Sequence, residues 1–250
     1  MRVLICGGGC AGPALAFWLV RLGHQVVIVE RAPDLRAAGA QIDFREQGIT
    51  TLKRMGLIDD IRARLVDEAG VSIVDEDGRA WATLFANKTG HGPQGPTSEF
   101  EIMRADLVQL LYEKTKNDVE YVFGKSVDHF EQDDERVDVH FSDGTSDVFD
   151  LVVGADGQGS RIRKAILPEN VDPYLHTGFH VAYFFVPRIP SDTNIRDVYQ
   201  SPGGRQIMRR SHNPEETQVY FIYRDDSPDV RAIHRAPEAR QKEFWKQRYQ

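Results

Sequence analysis

Cysteine is scarce in this chain, and two classes of site go with it. The 250 residues hold two cysteines, Cys6 and Cys10, in one short segment with no clustered histidine nearby. A disulfide framework and a four-ligand zinc site are therefore excluded. The pair reads as two small buried residues in a reducing, cytoplasmic setting. An excess of positive charge is also missing. Thirty-one Lys and Arg against 38 Asp and Glu leave a formal charge of −7, so no broad basic face for nucleic acid is expected. Nor is there a long unbroken apolar run. Val3–Leu22 is apolar, but Gly7-Gly8-Gly9 interrupts it, Pro13 follows, and Arg2 is its one early charge. That pattern fits neither a secretory signal nor an integral membrane segment. The eight histidines are scattered, with no Ser-His-Asp set and no metal cluster. No metal is expected, and no catalytic base can be named.

What is present reads as an ordinary folded protein of one large or two small domains: 41% hydrophobic and 28% charged. Arg2–Cys6 and Gln25–Val29 are short apolar runs, expected as buried parallel strands, and Ala11–Leu22 has helical spacing ended by Gly23. Arg45–Met55, Leu57–Leu65 and Arg104–Lys114 read as helices, Val71–Val74 and Ala80–Phe85 as a hairpin, and Asn87–Ser98 as a loop rich in Gly and Pro. Val119–Phe123, Ser126–Gln132, Val137–Phe141 and Ser146–Phe149 read as strands in series, with the acidic run Glu131–Glu135 as a solvated hairpin tip. Asp150–Ala155 reads as another buried strand, with a helix from Ser160. Phe179–Val186, Ile195–Tyr199, Arg205–Met208 and Gln218–Tyr223 read as a separate antiparallel layer, and Pro237–Tyr249 as a charged helix. The aromatics of that layer (Phe179, Tyr183, Phe184, Phe185, Tyr220, Phe221, Tyr223) are expected mostly in its core.

The segment Gly7-Gly8-Gly9-Cys10-Ala11-Gly12 matches G-x-G-x-x-G between an expected strand and an expected helix. Gly7 allows the tight turn, Gly9 lets backbone N–H groups approach a pyrophosphate, and Gly12 lets helix and strand pack closely. The helix start supplies partial positive charge and free donors. Glu30, 23 positions after Gly7, stands where an acid can accept hydrogen bonds from an adenosine ribose and repel a 2′-phosphate. This fingerprint alone leaves NAD and FAD both open.

Asp150–Arg163, reading DLVVGADGQGSRIR, resembles the second flavin motif of the single-component aromatic hydroxylases, the family of para-hydroxybenzoate hydroxylase and the tetracycline-inactivating monooxygenases. Gly7–Gly12 with Glu30-Arg31, Gly39–Asp43 and Arg104 match further family segments in the same order, over residues 1 to about 165. The resemblance implies an α/β protein with a Rossmann-like FAD-binding domain of the glutathione-reductase type at 1–70 and 100–168. An antiparallel substrate-binding β-sheet domain would occupy 71–99 and 169–250, incomplete relative to the family. It implies that Gly7, Gly9, Ala11 and Gly12 hold the pyrophosphate, Glu30 the ribose, and Arg31 a place beside the adenine. Gln41 would pass near the flavin, Arg104 would contact FAD near its middle, and Asp156 would bond close to its pyrophosphate or ribityl chain. Arg163 would support the loop or meet NAD(P)H, and Arg45 is open between a cofactor contact and an ordinary helix start. The implied activity is NAD(P)H- and O2-dependent oxidation of an aromatic or polyketide-like molecule lying between the two domains, in secondary metabolism.

The family's third motif contains a Gly-Asp pair, and this sequence has no Gly-Asp dipeptide. A truncated chain, a short form completed by a homodimer mate or second chain, and a non-redox or non-catalytic protein on the same scaffold are the competing expectations. A plain NAD-dependent dehydrogenase leaves Asp150–Arg163 and Arg104 unexplained.

Overall fold

The computed structural model describes residues 1–35, 39–87, 89 and 95–250; of the expected Asn87–Ser98 loop, residues 88 and 90–94 lie outside these. In chain order the elements begin with β1 (Arg2–Cys6), α1 (Ala11–Arg21), β2 (Gln25–Glu30), β3 (Gln41–Phe44), α2 (Glu46–Met55) and α3 (Ile58–Arg62). Then follow β4 (Gly70–Val74), β5 (Ala80–Phe85), β6 (Phe100–Met103), α4 (Arg104–Glu113), β7 (Glu120–Phe123), β8 (Val127–Gln132) and β9 (Val137–Phe141). The remainder is β10 (Ser146–Phe149), β11 (Leu151–Gly154), α5 (Arg161–Ile166), β12 (Phe179–Pro187), β13 (Ile195–Ser201), β14 (Arg205–Ser211), β15 (Glu216–Arg224), α6 (Pro228–Ala232) and α7 (Glu238–Arg248). None of the described helices is long and apolar enough to cross a membrane.

The chain packs as two units, one of Met1–Ile42 with Ile102–Asp172 and one of Asp43–Glu101 with Pro173–Gln250. The fold class is α/β. In the first unit β11, β1, β2 and β7 form a parallel sheet in that order. β1 is buried on both faces, and its alternation feeds two cores. Val3 and Ile5 pack with Ala16 of α1, Val26 and Ile28. Leu4 and Cys6 pack on the opposite side with Val137, Val139, Phe141 and Phe149 of the antiparallel sheet β10–β9–β8. Helix, parallel sheet and three-stranded sheet are thus three layers sharing one central strand. Of the strands expected in series, β7 leaves the other three and joins the parallel sheet beside β2.

β11 departs from expectation. It was read as buried, yet Leu151 is 42% exposed, because β11 is an edge strand with β1 as its one neighbour. The turn at Asp143-Gly144 is built as expected, with Gly144 at φ 83°. Asp143 Oδ1 accepts from the Thr145 hydroxyl at 2.7 Å and the Thr145 N–H at 3.0 Å, while Lys125 lies 3.0 Å from Oδ2.

In the second unit six strands form one sheet in the order β12–β15–β14–β13–β4–β5. It is mixed, not antiparallel throughout, because β4 pairs parallel to β13. The resemblance places residues 43–70 with the nucleotide-binding domain. Packing puts them here, since β4 joins this sheet and Glu68 is tied to Arg210 of β14. The same guanidinium reaches Glu101 at 2.5 Å, Glu68 also accepts from the Thr97 hydroxyl at 2.8 Å, and all three charged residues are buried. On one face of the sheet α7 and the α6 region close a small core of Val230, Ile233 and Phe244, with Tyr249 stacked on Phe221 at 4.3 Å. The expectation that the sheet's aromatics are core holds for Tyr220 but not for β12. Phe179, Phe184 and Phe185 stay 37–55% exposed there, because β12 is an edge. Strands β3 and β6, unread in the sequence, pair as a two-stranded sheet.

Two outcomes follow from this packing. Arg210→Ala removes the buried cation between Glu68 and Glu101, leaving only Arg196, 3.8 Å from Glu68, beside them among the described residues, and should cost about 3 kcal/mol, read as a lower urea midpoint; an unchanged midpoint contradicts the ion-pair role. Asp143 is held down to about 2, first by the Thr145 hydroxyl, then by the Thr145 N–H and Lys125. Its share of stability is present above the ordinary carboxylate range and disappears as pH falls through about 2. A carbon-detected NMR titration of Asp143 should show that midpoint, and Thr145→Val should raise it.

Candidate functional site

The sharp end of the first unit is the turn between β1 and α1. Gly7 has φ 119°, and a Cβ there would stand 2.4 Å from the Ala155 carbonyl oxygen. A Cβ on Gly12 would stand 2.0 Å from the Gly7 oxygen. Both glycines are therefore required by the protein's own backbone, one by conformation and one by close approach. Gly7 N–H bonds to Val29 O at 2.8 Å and Ala155 N–H to Cys6 O at 2.8 Å, so the turn is gripped by β2 and by the end of β11. α1 starts without a side-chain cap, and Pro13 sits in its first turn, where the missing N–H costs nothing.

Above this turn lies a cavity of about 520 Å³. Seven of the expected site residues line it: Gly7, Gly9, Ala11, Glu30, Arg31, Arg104 and Asp156. Gly12 is buried beneath, against Gly7. Gln41 is on β3 and is not among the lining residues. β3 pairs with β6.

Glu30 does more than end β2. Its Oε2 accepts from Gly8 N–H at 2.8 Å and its Oε1 from Ala32 N–H at 2.9 Å, so the carboxylate braces the glycine turn. Each oxygen keeps a second lone pair for a ligand hydroxyl. Arg104 begins α4, and its side chain runs past Gly39, where a Cβ would meet Arg104 Cδ at 2.7 Å, to reach the turn. It also interacts with Cys10, whose thiol burial pushes up while Arg104 draws it down. Burial, then Asp156, pushes Cys6 up to about 12, leaving it an inert thiol. Asp156 Oδ2 accepts from Arg161 N–H at 2.7 Å, and Ser160 Oγ caps α5 by accepting from Arg163 N–H at 2.9 Å. Arg163 also donates to Gln158 O. Arg45 flanks the start of α2 and pairs with Asp43 at 2.7 Å.

Lys125, Ser126, Val127 and Arg161 also line the cavity and were not foreseen. The signal existed. Parallel register sets Phe123 beside Glu30, so the residues after β7 emerge at the same carboxyl edge as Glu30. Ligands of open α/β sheets bind at that edge.

Two features of the cavity fit a dinucleotide. A Cβ on Gly9 would meet nothing closer than Arg104 Nη2 at 3.7 Å, so the space over Gly9 is open in the protein itself. Asp156 Oδ1 is buried and has no hydrogen-bond partner among the described residues. An anion over Gly9 would meet the α1 start and Arg104 together, and a ligand hydroxyl or N–H would satisfy Asp156.

Comparison with known proteins agrees with this geometry. The family model described as FAD binding domain matches residues 1–249. The FAD-dependent monooxygenase asL4 of Sarocladium schorii is 42% identical over 226 residues, 88% of this chain and 53% of its own length. The flavin-dependent monooxygenase eupH of a Phoma species is 43% identical over 232 residues, 90% of this chain and 54% of its own. The crystal structure of tetracycline destructase Tet(51) matches with a TM-score of 0.78 at 26% identity, covering 100% of this chain and 62% of that one. The chain spans about half the length of the curated relatives it matches. Matched from residue 1 to residue 249, it belongs to the FAD binding domain family, and FAD is its cofactor.

Proposed function

We propose that this chain holds FAD on its first unit for an NAD(P)H- and O2-dependent monooxygenation of an aromatic or polyketide-like small molecule. The observation that carries the reading is the open space over Gly9, framed by the α1 start, Arg104 and the partnerless Asp156 Oδ1. The four-stranded parallel sheet with its three-stranded antiparallel partner supports a Rossmann domain of the glutathione-reductase type. The names of asL4 and eupH support monooxygenation, and a tetracycline destructase among the structural neighbours supports a polyketide-like substrate.

Each residue has a separable task. Gly7, Gly9, Ala11 and Gly12 shape the turn that receives the pyrophosphate. Glu30 braces that turn and accepts from the ribose hydroxyls, with Arg31 at the adenine end. Arg104 neutralises charge near the middle of the dinucleotide, and Asp156 accepts from its remaining donors. Bound FAD supplies the redox chemistry, and the protein supplies orientation and exclusion of water. In the second unit, register places Tyr183, Tyr220 and Met208 in one row, with Phe185, Gln218 and Arg210 in the next. Both phenols donate to Gln218 Oε1, at 3.1 and 3.0 Å. Gln218 and Tyr220 are buried and so position Tyr183, which with the exposed Phe185 beside it gives β12 an aromatic edge suited to a flat substrate.

Glu30→Ala and Asp156→Ala should each weaken FAD binding by about 1.5–3 kcal/mol, roughly ten- to a hundredfold in Kd. Gly9→Val, which fills the open space, should lose at least as much. Flavin fluorescence titration checks all three, and unchanged affinity in every variant removes the assignment. For the activity, purified protein should be yellow and should oxidise NADPH or NADH in air faster when a suitable phenol is present. Colourless protein that FAD cannot reconstitute contradicts the proposal.

A further inference from the structure

The outward face of the β10–β9–β8 sheet carries a feature unconnected with the dinucleotide cavity. His129 on β8 and His140 on β9 are direct cross-strand partners, and their rings stack 4.2 Å apart between centroids and 9° from parallel. A register shift between Val127 and His129 sets Asp128 out of the alternation. Val127, Val139 and Phe141 consequently stay in the core, while both imidazoles face outward. His129 has 59% of its side chain exposed.

The second nitrogen of each ring is occupied. His129 Nδ1 lies 3.2 Å from Asp128 Oδ2. An ionised carboxylate can only accept, so that nitrogen carries the proton and Nε2 holds its lone pair outward. His140 Nδ1 lies 2.8 Å from Ser146 Oγ, and with the hydroxyl accepting, the same tautomer results. An imidazole that donates from one nitrogen to a carboxylate or hydroxyl and offers the other is the arrangement of metal-ligating histidines. The next outward row of the sheet pairs Glu131 with Asp138, so the surroundings favour a cation. Arg136, 3.2 Å from Asp138, offsets part of that charge.

We propose that His129 and His140 form a surface site for one divalent late transition ion, Cu2+, Ni2+ or Zn2+. A swing of the exposed His129 ring, with the equally exposed Asp128 side chain following it, would converge the two Nε2 atoms on the ion, and water would complete its coordination. Among the described residues no group of three or more His, Cys, Asp or Glu could hold a metal. The site is therefore open and exchangeable, unlike a closed structural zinc centre. Imidazole donors give the order of affinity Cu2+ above Ni2+ and Zn2+. The ion would staple β8 to β9 two residues from Val127, which lines the dinucleotide cavity.

The experiment is a calorimetric titration of the untagged full chain with Cu2+ and with Ni2+ near pH 7.5, alongside thermal midpoints with and without metal. One equivalent should bind, Cu2+ more tightly, and the midpoint should rise. His129→Asn and His140→Asn should each weaken binding by at least about tenfold, and Asp128→Asn by about tenfold through lost orientation of the ring. Circular dichroism confirms that the variants remain folded. If the double variant still takes up one equivalent with unchanged affinity, or if wild type takes up none, the site does not exist.

Discussion

The approach of Gly12 to the Gly7 carbonyl is the constraint on which the rest depends. No side chain fits between them, so strand β1 must turn into α1 within a few residues. That contact aims the uncapped helix start at open space instead of at the sheet. Glu30 and Ala155 hold the turn from two sides, through Gly8 N–H and through the Gly7 close approach. The turn is thus ordered by the protein before any ligand arrives, and little ordering free energy is left for binding to supply.

Local chemistry made much of this legible. The glycines, the acid at the end of β2 and the Asp-Gly turn at 156–157 each signal through residue type at a fixed offset. Gly7 and Gly12 are demanded by backbone geometry, which is why their spacing is so readable. Gly9 is different, since nothing in the protein excludes a side chain there and its identity makes sense only with a ligand in place. Failures came where the answer lies in pairing across the chain. Val119–Phe123 looks like any short strand, and only its register beside β2 reveals that Lys125 and Ser126 reach the cavity. Leu151–Gly154 looks buried by composition, yet its exposure depends on how many neighbours the sheet gives it.

The two units use polar burial differently. In the first, buried polar atoms concentrate at the cavity, where Asp156 keeps an acceptor unmatched. In the second, they gather around β14, with Arg210 between Glu68 and Glu101 and with Gln218 serving both Tyr183 and Tyr220. Burial raises Glu101 against the opposing pull of Arg210. Charge pairing there ties the segments carrying Glu68 and Glu101 to β14, whereas Asp156 faces an open cavity where a ligand can meet it.

The parallel pairing of β1 with β11 joins Val3 to Leu151 across 148 positions of chain. At a ribosome adding about 5–20 residues per second, β1 waits roughly 7–30 s for that neighbour. Throughout the wait, β1 and β2 display one apolar sheet face with nothing to cover it, because β9 and β10 emerge nearly as late. The interval between β1 and its late partners is thus the stretch of synthesis in which the chain most needs its apolar surface shielded.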